Sequence, residues 1–179
     1  MTDIEIMALY KNGGAEAAFD AIVSSYSERL YWHVRRFTCN HEDSDDLLQE
    51  IFIKVWKSLP GFREESSLYT WIYRIATNET LNFLRKNRLR AMLNAESLES
   101  LLDKKADEDR HFNGDVLQRE VQKAINALPD KQKQVFVLRY FDEMPYEQIS
   151  AILHSSVGSL KASYHHAAHK VRSRLEKIF

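Results

Sequence analysis

Residues 43–90 read DSDDLLQEIFIKVWKSLPGFREESSLYTWIYRIATNETLNFLRKNRLR, and this stretch decides the fold. Leu47, Leu48, Ile51, Phe52, Val55, Trp56 and Leu59 recur at three- and four-residue steps, the spacing of one helix face. Asn40, Asp43 or Ser44 can cap that helix, and the acidic residues that follow suit the positive end of its dipole. Pro60 and Gly61 stop it, and Ser66 or Ser67 can cap the next helix. There, at about 100° per residue, Leu68, Ile72, Ile75, Ala76 and Phe83 share one face. Thr70, Trp71, Arg74, Asn78, Arg85 and Arg88 fall on a different arc, which offers cations, an amide, a hydroxyl and an aromatic edge but no carboxylate. Such an arc suits a nucleic-acid strand: cations for phosphates, a ring for stacking, amides for base edges. The plain alternative is a solvated helix face.

Upstream, residues 15–37 keep a helical step through Phe19, Ile22, Val23, Tyr26, Leu30, Val34 and Phe37, with Gly13-Gly14 before them. Leu30, Trp32 and Phe37 are expected to pack under the two helices already described, and residues 1–12 to form a short helix or a loose end. This makes a first helical module over residues 10–90. From 91 to 114 the pattern fades. Leu93, Leu98, Leu101 and Leu102 can support a short helix, but DKKADEDRHFNG is polar and ends in a turn signal, so the stretch reads as a flexible acidic linker.

The helix pattern returns over residues 115–179, the second module. Leu117, Val121, Ala124, Ile125 and Leu128 lead to Pro129, and a helix from Lys131 to Phe141 turns Val135, Leu138 and Phe141 inward. Pro145 can open a short helix because a first-turn proline loses no hydrogen bond. After His154-Ser155-Ser156 comes a last helix with Val157, Leu160, Tyr164, Ala167, Val171, Leu175 and Ile178 inward. A short helix, a tight turn and a longer helix make the helix-turn-helix pattern. Ser156 can cap the longer helix, whose outward positions are Ser159, Lys161, Ala162, Ser163, His165, His166, His169 and Lys170. Small polar residues near its start can approach base edges, while Lys161, Lys170, Arg172 and Arg174 are placed for phosphates. The alternative is a helical hairpin that packs on another protein.

The chain is therefore expected to be all-α, with two small helical domains. Its net charge of −1 argues against strong binding to nucleic acid unaided. The charge is uneven, however. Residues 91–115 hold three Lys/Arg against seven Asp/Glu, residues 116–179 hold ten against six, and residues 13–90 balance at eleven each. An acidic connector can hold a basic module back until a partner intervenes. Cys39 is the only cysteine, which excludes an intramolecular disulfide and fits a reducing cytosol. The start, MTDIEIMALYK, lacks the basic leader and apolar core of a signal peptide. No apolar run nears the ~18 residues of a membrane span, so direct membrane insertion is not expected and the cytoplasm is.

DDLLQEIFIKVW, the loop GFREESS and TWIYRIATN together resemble domain two of bacterial sigma factors, most closely the small extracytoplasmic-function (ECF) group of the sigma-70 family. LPDKQKQVFVLRYFDEMPYEQISAIL and SVGSLKASYHHA resemble domain four of the same family, in the family's order. The resemblance implies a promoter-specificity subunit. In the family the first helix docks on the clamp helices of the largest subunit of core RNA polymerase, and domain four reaches the flap of the second-largest subunit. Carried over residue by residue, Asp46, Leu47, Gln49, Glu50, Phe52 and Trp56 lie in the docking helix, with Phe52 and Trp56 as its packed underside. Phe62, Arg63, Ser66 and Ser67 form the loop for a flipped minus-ten base. Thr70, Trp71, Arg74, Asn78, Arg85 and Arg88 hold the nontemplate strand of promoter DNA. Ser156, Ser159, Lys161, Ala162, Ser163, His165, His166, His169 and Lys170 face the minus-thirty-five element. The family commonly has a membrane-linked anti-sigma factor as a further partner. Three departures bear on which upstream sequence is read: Pro145 stands where a capping Ser or Thr is usual, His154 replaces a turn glycine, and Ser163, His166 and Ala168 stand where Arg is frequent. A weaker electrostatic grip upstream follows.

No enzyme is legible, since there is neither a glycine-rich phosphate loop nor a nucleophile elbow. No cofactor and no metal are expected. His165 and His169 have a four-residue spacing that can hold zinc, but no Glu of the metalloprotease pattern lies between them. His33, Cys39 and His41 form a looser cluster that reads as structural. Asp45, Asp46 and Glu50 read as a docking or solvated face. Two rival classes remain: a dimeric helix-turn-helix regulator of palindromic sites, and a helical adaptor.

Overall fold

Caps and breakers place the helix ends of this computed structural model, which describes residues 1–179. α1 (Asp3–Lys11) opens on a capping box in which the Glu5 amide donates to the Thr2 hydroxyl and the Thr2 amide donates to the Glu5 carboxylate. α2 runs Ala15–Thr38 and ends at Cys39, in the left-handed region at φ 64°. Asn40 caps α3 (His41–Ser58) by accepting from the Asp43 amide. A 3-10 turn, Leu59–Gly61, then breaks the chain at Pro60. Ser67 caps α4 (Leu68–Leu93), whose 26 residues make it the longest helix.

The connector is not a loose strap. Leu98–Glu108 forms α5, capped by Ser97, and Arg110–Asn113 forms the single turn α6, capped by Asp109. The physical reason is the i, i+4 stripe Leu98, Leu102, Ala106 continued by Phe112, and all four are buried. The acids that suggested a solvated linker occupy the opposite side or are paired. Asp109 receives both ends of the buried Arg35 guanidinium at 3.0 and 2.7 Å, and the connector's Lys105 donates to Asp43 of α3 at 2.6 Å.

α7 (Val116–Asn126) and α8 (Asp130–Phe136) follow; α8 continues as a π-helical turn over Val137–Phe141. α9 (Tyr146–Leu153), a left-handed residue at His154 and α10 (Val157–Glu176, capped by Ser156) make the helix-turn-helix. His154 takes φ 52° where glycine is usual.

Two apolar cores run through the molecule, and neither respects the division into modules. The first gathers Ile22, Leu30, Val34, Ile51, Val55, Ile72 and Ala76, then adds Val135, Leu138, Ile149, Ile152 and Leu160 from the C-terminal module. It also includes Ile6 and Met7 of α1, so the N-terminal residues are packed rather than loose. The second core joins Phe37, Cys39 and Leu84 to the connector and to Ala124, Ile125, Phe136, Val137, Ala167 and Val171. Phe37 was expected under α3 and α4 but lies in this second core. Trp32 was expected inside and is 41% exposed, edge-on to Tyr31 and tilted over His111.

Candidate polymerase and nucleic-acid interfaces

α3 separates its buried and exposed faces by angle. Leu47 and Phe52 point into the core, while Asp46, Gln49 and Glu50 face outward. Trp56, expected on the packed underside, is instead 41% exposed and leans edge-on against Phe19. Ile53, 52% exposed, stands between Glu50 and Trp56 on the same outer stripe. The sequence signal for Ile53 was an isoleucine out of phase with the buried stripe. The outer face is therefore acidic at its start and apolar toward its end.

The loop after α3 is anchored on α4. The Ser67 hydroxyl accepts from the Thr70 amide at 3.1 Å and donates to the Thr70 hydroxyl at 3.0 Å. These bonds leave Thr70 buried, off the outward arc that its angle suggested. Phe62 lies over Trp71 with ring centroids 4.8 Å apart, Arg63 is exposed, and Ser66 is half-buried. A cleft of about 470 Å³ opens between the loop and α1, lined by Asp3, Ile4, Met7, Lys11, Phe62, Ser66 and Ser67 among others. A smaller one of about 150 Å³ sits between Arg63, Trp71 and Arg74. Sequence reasoning missed α1 as a wall of this site. Its one early signal was the T-x-x-E box of Thr2 and Glu5. α1 is held there by Asp3, which accepts from the Tyr26 hydroxyl at 2.8 Å and from the Tyr69 amide at 3.2 Å.

Along α4, Asn78 and Arg85 are exposed and free of ionic partners, as are the neighbouring Lys86 and Arg90. Arg74 and Arg88 are engaged: the Arg74 Nε–H donates to the Ala151 carbonyl at 2.8 Å, and Arg88 pairs with Asp130 at 2.8 Å. The helix has one carboxylate, Glu79, which is buried and paired with Lys54. Its accessible surface is consequently cationic and amide-bearing, with no exposed acid.

On α10 the Ser156 hydroxyl accepts from the Ser159 amide at 3.2 Å, leaving the first turn open to solvent at Gly158, where a Cβ would meet nothing. Lys161, Ala162, His165, His166, His169 and Lys170 are exposed, and Ser159 and Ser163 are partly so. α8 adds residues that sequence reasoning left out. Lys131 donates to the Ser159 hydroxyl at 3.2 Å, and Gln132 accepts from Lys170 at 3.1 Å. His165 and His169 gather no third ligand. The second histidine cluster is dispersed. His33 bonds Asp142 at 2.6 Å, His41 meets Tyr31 and Asp45, and the Cys39 thiol donates to Asn126 at 3.3 Å.

Burial pushes the Cys39 thiol up to about 12 and pulls Lys133 below the usual lysine range. Burial alone would raise Asp109, but the hydrogen bonds and charge of Arg35 outweigh it and leave its carboxyl below the usual range.

Known proteins share this arrangement of helices. The family model for Sigma-70 region 2 matches residues 22–90, and that for Sigma-70, region 4 matches residues 118–171. The chain is 31% identical over 174 residues to the ECF RNA polymerase sigma factor SigW of Bacillus subtilis, covering 92% of each. It is 29% identical over 173 residues to the ECF RNA polymerase sigma-E factor of Escherichia coli K12, covering 92% of this chain and 90% of the other. Among solved structures, CnrH in complex with the cytosolic domain of CnrY superposes with a TM-score of 0.71 at 20% identity, covering 98% of this chain and 99% of that one. The sigma factor RpoE in complex with the anti-sigma factor NepR from Bartonella quintana gives 0.69 at 22%, covering 88% and 96%. No helix here is long and apolar enough to cross a membrane.

Proposed function

Since this chain belongs to the ECF branch of the sigma-70 family, and so is a transcription-initiation subunit of core RNA polymerase rather than an enzyme, we propose that its three outward surfaces divide that work among them. α3 docks on polymerase through Asp46, Gln49, Glu50, Ile53 and Trp56, with Leu47 and Phe52 holding the stripe rigid from below. Phe62, Arg63, Ser66 and Ser67, backed by α1, receive a base flipped from the minus-ten element. Trp71, Arg74, Asn78, Arg85 and Arg88 hold the displaced strand. The exposed face of α10, with Lys131 beside it, reads the upstream element.

The observation that carries this reading is the surface of α4. The helix is 26 residues long, its accessible charges are all basic, and its one acid is buried against Lys54. Flipping a base costs a few kcal/mol, and stacking on a ring such as Trp71 returns about 1–3 kcal/mol per base. The balance is near zero, so strand capture needs the added binding energy of polymerase. The protein acts as a subunit and holds duplex DNA poorly alone.

In-vitro transcription with bacterial core polymerase and a promoter library tests this. The wild type is expected to give specific transcripts, and Trp71→Ala to lose them at the opening step while still co-eluting with polymerase. Loss of co-elution without loss of fold in the double variant Glu50→Lys/Trp56→Ala would place docking on α3. Transcription undisturbed by Trp71→Ala would end the reading of the loop and α4.

The same α3 face suits an inhibitory protein that competes with polymerase, and an anti-sigma factor is the partner we assign to it. The cytoplasm is the compartment in which all these partners meet.

A further inference from the structure

A cleft of about 730 Å³ lies between α2, the first turns of α4 and the turn that follows the π-helical segment. Its walls are aromatic: Trp32, Tyr69, Tyr73 and Phe141. Its carboxylates come from two elements, Glu28 from α2, and Asp142 and Glu143 from the turn. We propose that this cleft binds a small organic cation of the polyamine class. No residue lining it is assigned above to polymerase or DNA, so the site stands independently of those readings.

Charge and ring chemistry point to the same ligand. Three carboxylates against one cation, Arg29, leave the lining with two negative charges in excess. Glu28 and Glu143 are exposed and form no ion pair, so their charges are free for a ligand. Asp142 faces the rings: burial first, and then its charge, raise the Tyr69 and Tyr73 phenols above the usual tyrosine range. Ring faces attract cations as well. One already does so here, where the Arg29 guanidinium lies 6.0 Å from the Tyr69 ring centroid. A bare metal ion needs ligands that converge, and nowhere in the molecule do three His, Cys, Asp or Glu side chains gather to hold one. Acids spread among aromatic walls suit a ligand with an apolar body and several ammonium groups.

Two further features single this place out. His33 is 2% exposed, with its ring edge-on to Tyr73 at 5.5 Å between centroids and its Nδ1 bonded to Asp142 at 2.6 Å. A carboxylate only accepts, so Nδ1 carries the hydrogen and holds Asp142 in place. The Nε2 has no partner, which leaves a buried ring one hydrogen bond short beside the cleft. Glu143 takes φ 52°, in the left-handed region, a strained backbone of the kind that persists at functional positions.

Isothermal titration calorimetry of the full chain with spermidine at physiological ionic strength tests the site. A single equivalent is expected to bind, and Tm to rise with spermidine concentration. Glu143→Gln and Trp32→Ala are each expected to weaken binding about fivefold, the one by removing a free carboxylate and the other a ring face. Trp32→Phe keeps a ring and should stay within about twofold of wild type. Glu176→Gln, an exposed acid that forms no ion pair and does not line the cleft, controls for lost charge and should bind as wild type does. Glu28→Gln serves if either cleft variant fails to fold. Magnesium ion at matched charge should compete poorly, since it keeps its water and gains nothing from rings. Nα-acetyl-lysine amide, the lone ammonium that a partner protein would insert, should bind much more weakly than spermidine.

Absence of saturable binding would overturn the site. Affinity lost as much in Glu176→Gln as in Glu143→Gln, or ready displacement of spermidine by magnesium, would reduce it to a diffuse counter-ion cloud. Binding left unchanged by both Glu143→Gln and Trp32→Ala would put spermidine elsewhere on the chain. The lysine amide binding as tightly as spermidine would make the cleft a socket for a lysine side chain, and the polyamine assignment would fall.

Discussion

Lys133 shows what a single side chain can cost. It is 1% exposed, it forms no ion pair, and burial lowers its proton affinity. A buried ammonium without a dedicated partner is destabilising, and an apolar side chain of similar length removes the penalty. Lys133→Met is expected to raise stability by about 1 kcal/mol, a Tm gain of roughly 2–4 °C for a chain of this size; a lower melting temperature would reveal an acceptor. Arg85 illustrates the reverse case, a cation kept in water. Its replacement should leave Tm unchanged, weaken the complex of polymerase holoenzyme with promoter DNA across sequences, and reduce the salt slope of that binding by about one. An unchanged slope would remove Arg85 from the phosphate contacts. Neither role follows from residue type alone. Both residues are basic and helical, and only burial separates them.

At the scale of elements, the connector is the point to press. Phe112 is wholly buried at the one-turn helix α6, with the Arg35 and Arg36 guanidinium groups beside its ring. A loose linker would tolerate its loss, whereas a packed one loses both transfer energy and filled volume. Phe112→Ala is expected to destabilise the chain by about 3–5 kcal/mol in denaturant unfolding. A change below about 1 kcal/mol would return residues 91–114 to the status of a strap. Asp109, next to it, gives a pH signature. Its carboxyl in the folded chain lies below the unfolded reference of 3.8. The stability it contributes is therefore present above that reference and drains away as pH falls through the depressed folded value. Wild type and Asp109→Asn should differ in Tm at neutral pH and converge as the medium is acidified below about 3.8. Curves that stay parallel would mean that the Arg35–Asp109 pair contributes nothing.

For the whole molecule, the prediction concerns size. One body of 179 residues has a radius of gyration of about 16 Å by the scaling of compact chains. Two modules on a loose tether would exceed that by several ångströms. Small-angle X-ray scattering of the free chain is expected to give the smaller value with a single-peaked distance distribution. A shoulder at long distances would show the modules apart and the two shared cores unmade. The shared cores make the compact form the expected one: with Val135, Leu138, Ile149 and Ile152 withdrawn, the first core would lie open to water along α4.

The sequence determined the helices, their order and most of their ends, because caps at Asn40, Ser67 and Ser156 and breakers at Pro60 and Pro129 act within a few residues of where they stand. It also marked the side chains that we assign to polymerase and DNA. It could not say that Thr70 turns inward, that Trp32 and Trp56 stay half in water, or that the acidic connector folds. Those outcomes depend on what arrives from a distance. Arg35 meets Asp109, Arg74 meets the Ala151 carbonyl, and Cys39 meets Gln122 and Asn126, partners 74 to 87 positions apart in the chain. Periodicity gives a helix its apolar stripe, but a stripe does not name the surface that will cover it. Only the packing of one module on the other decided that.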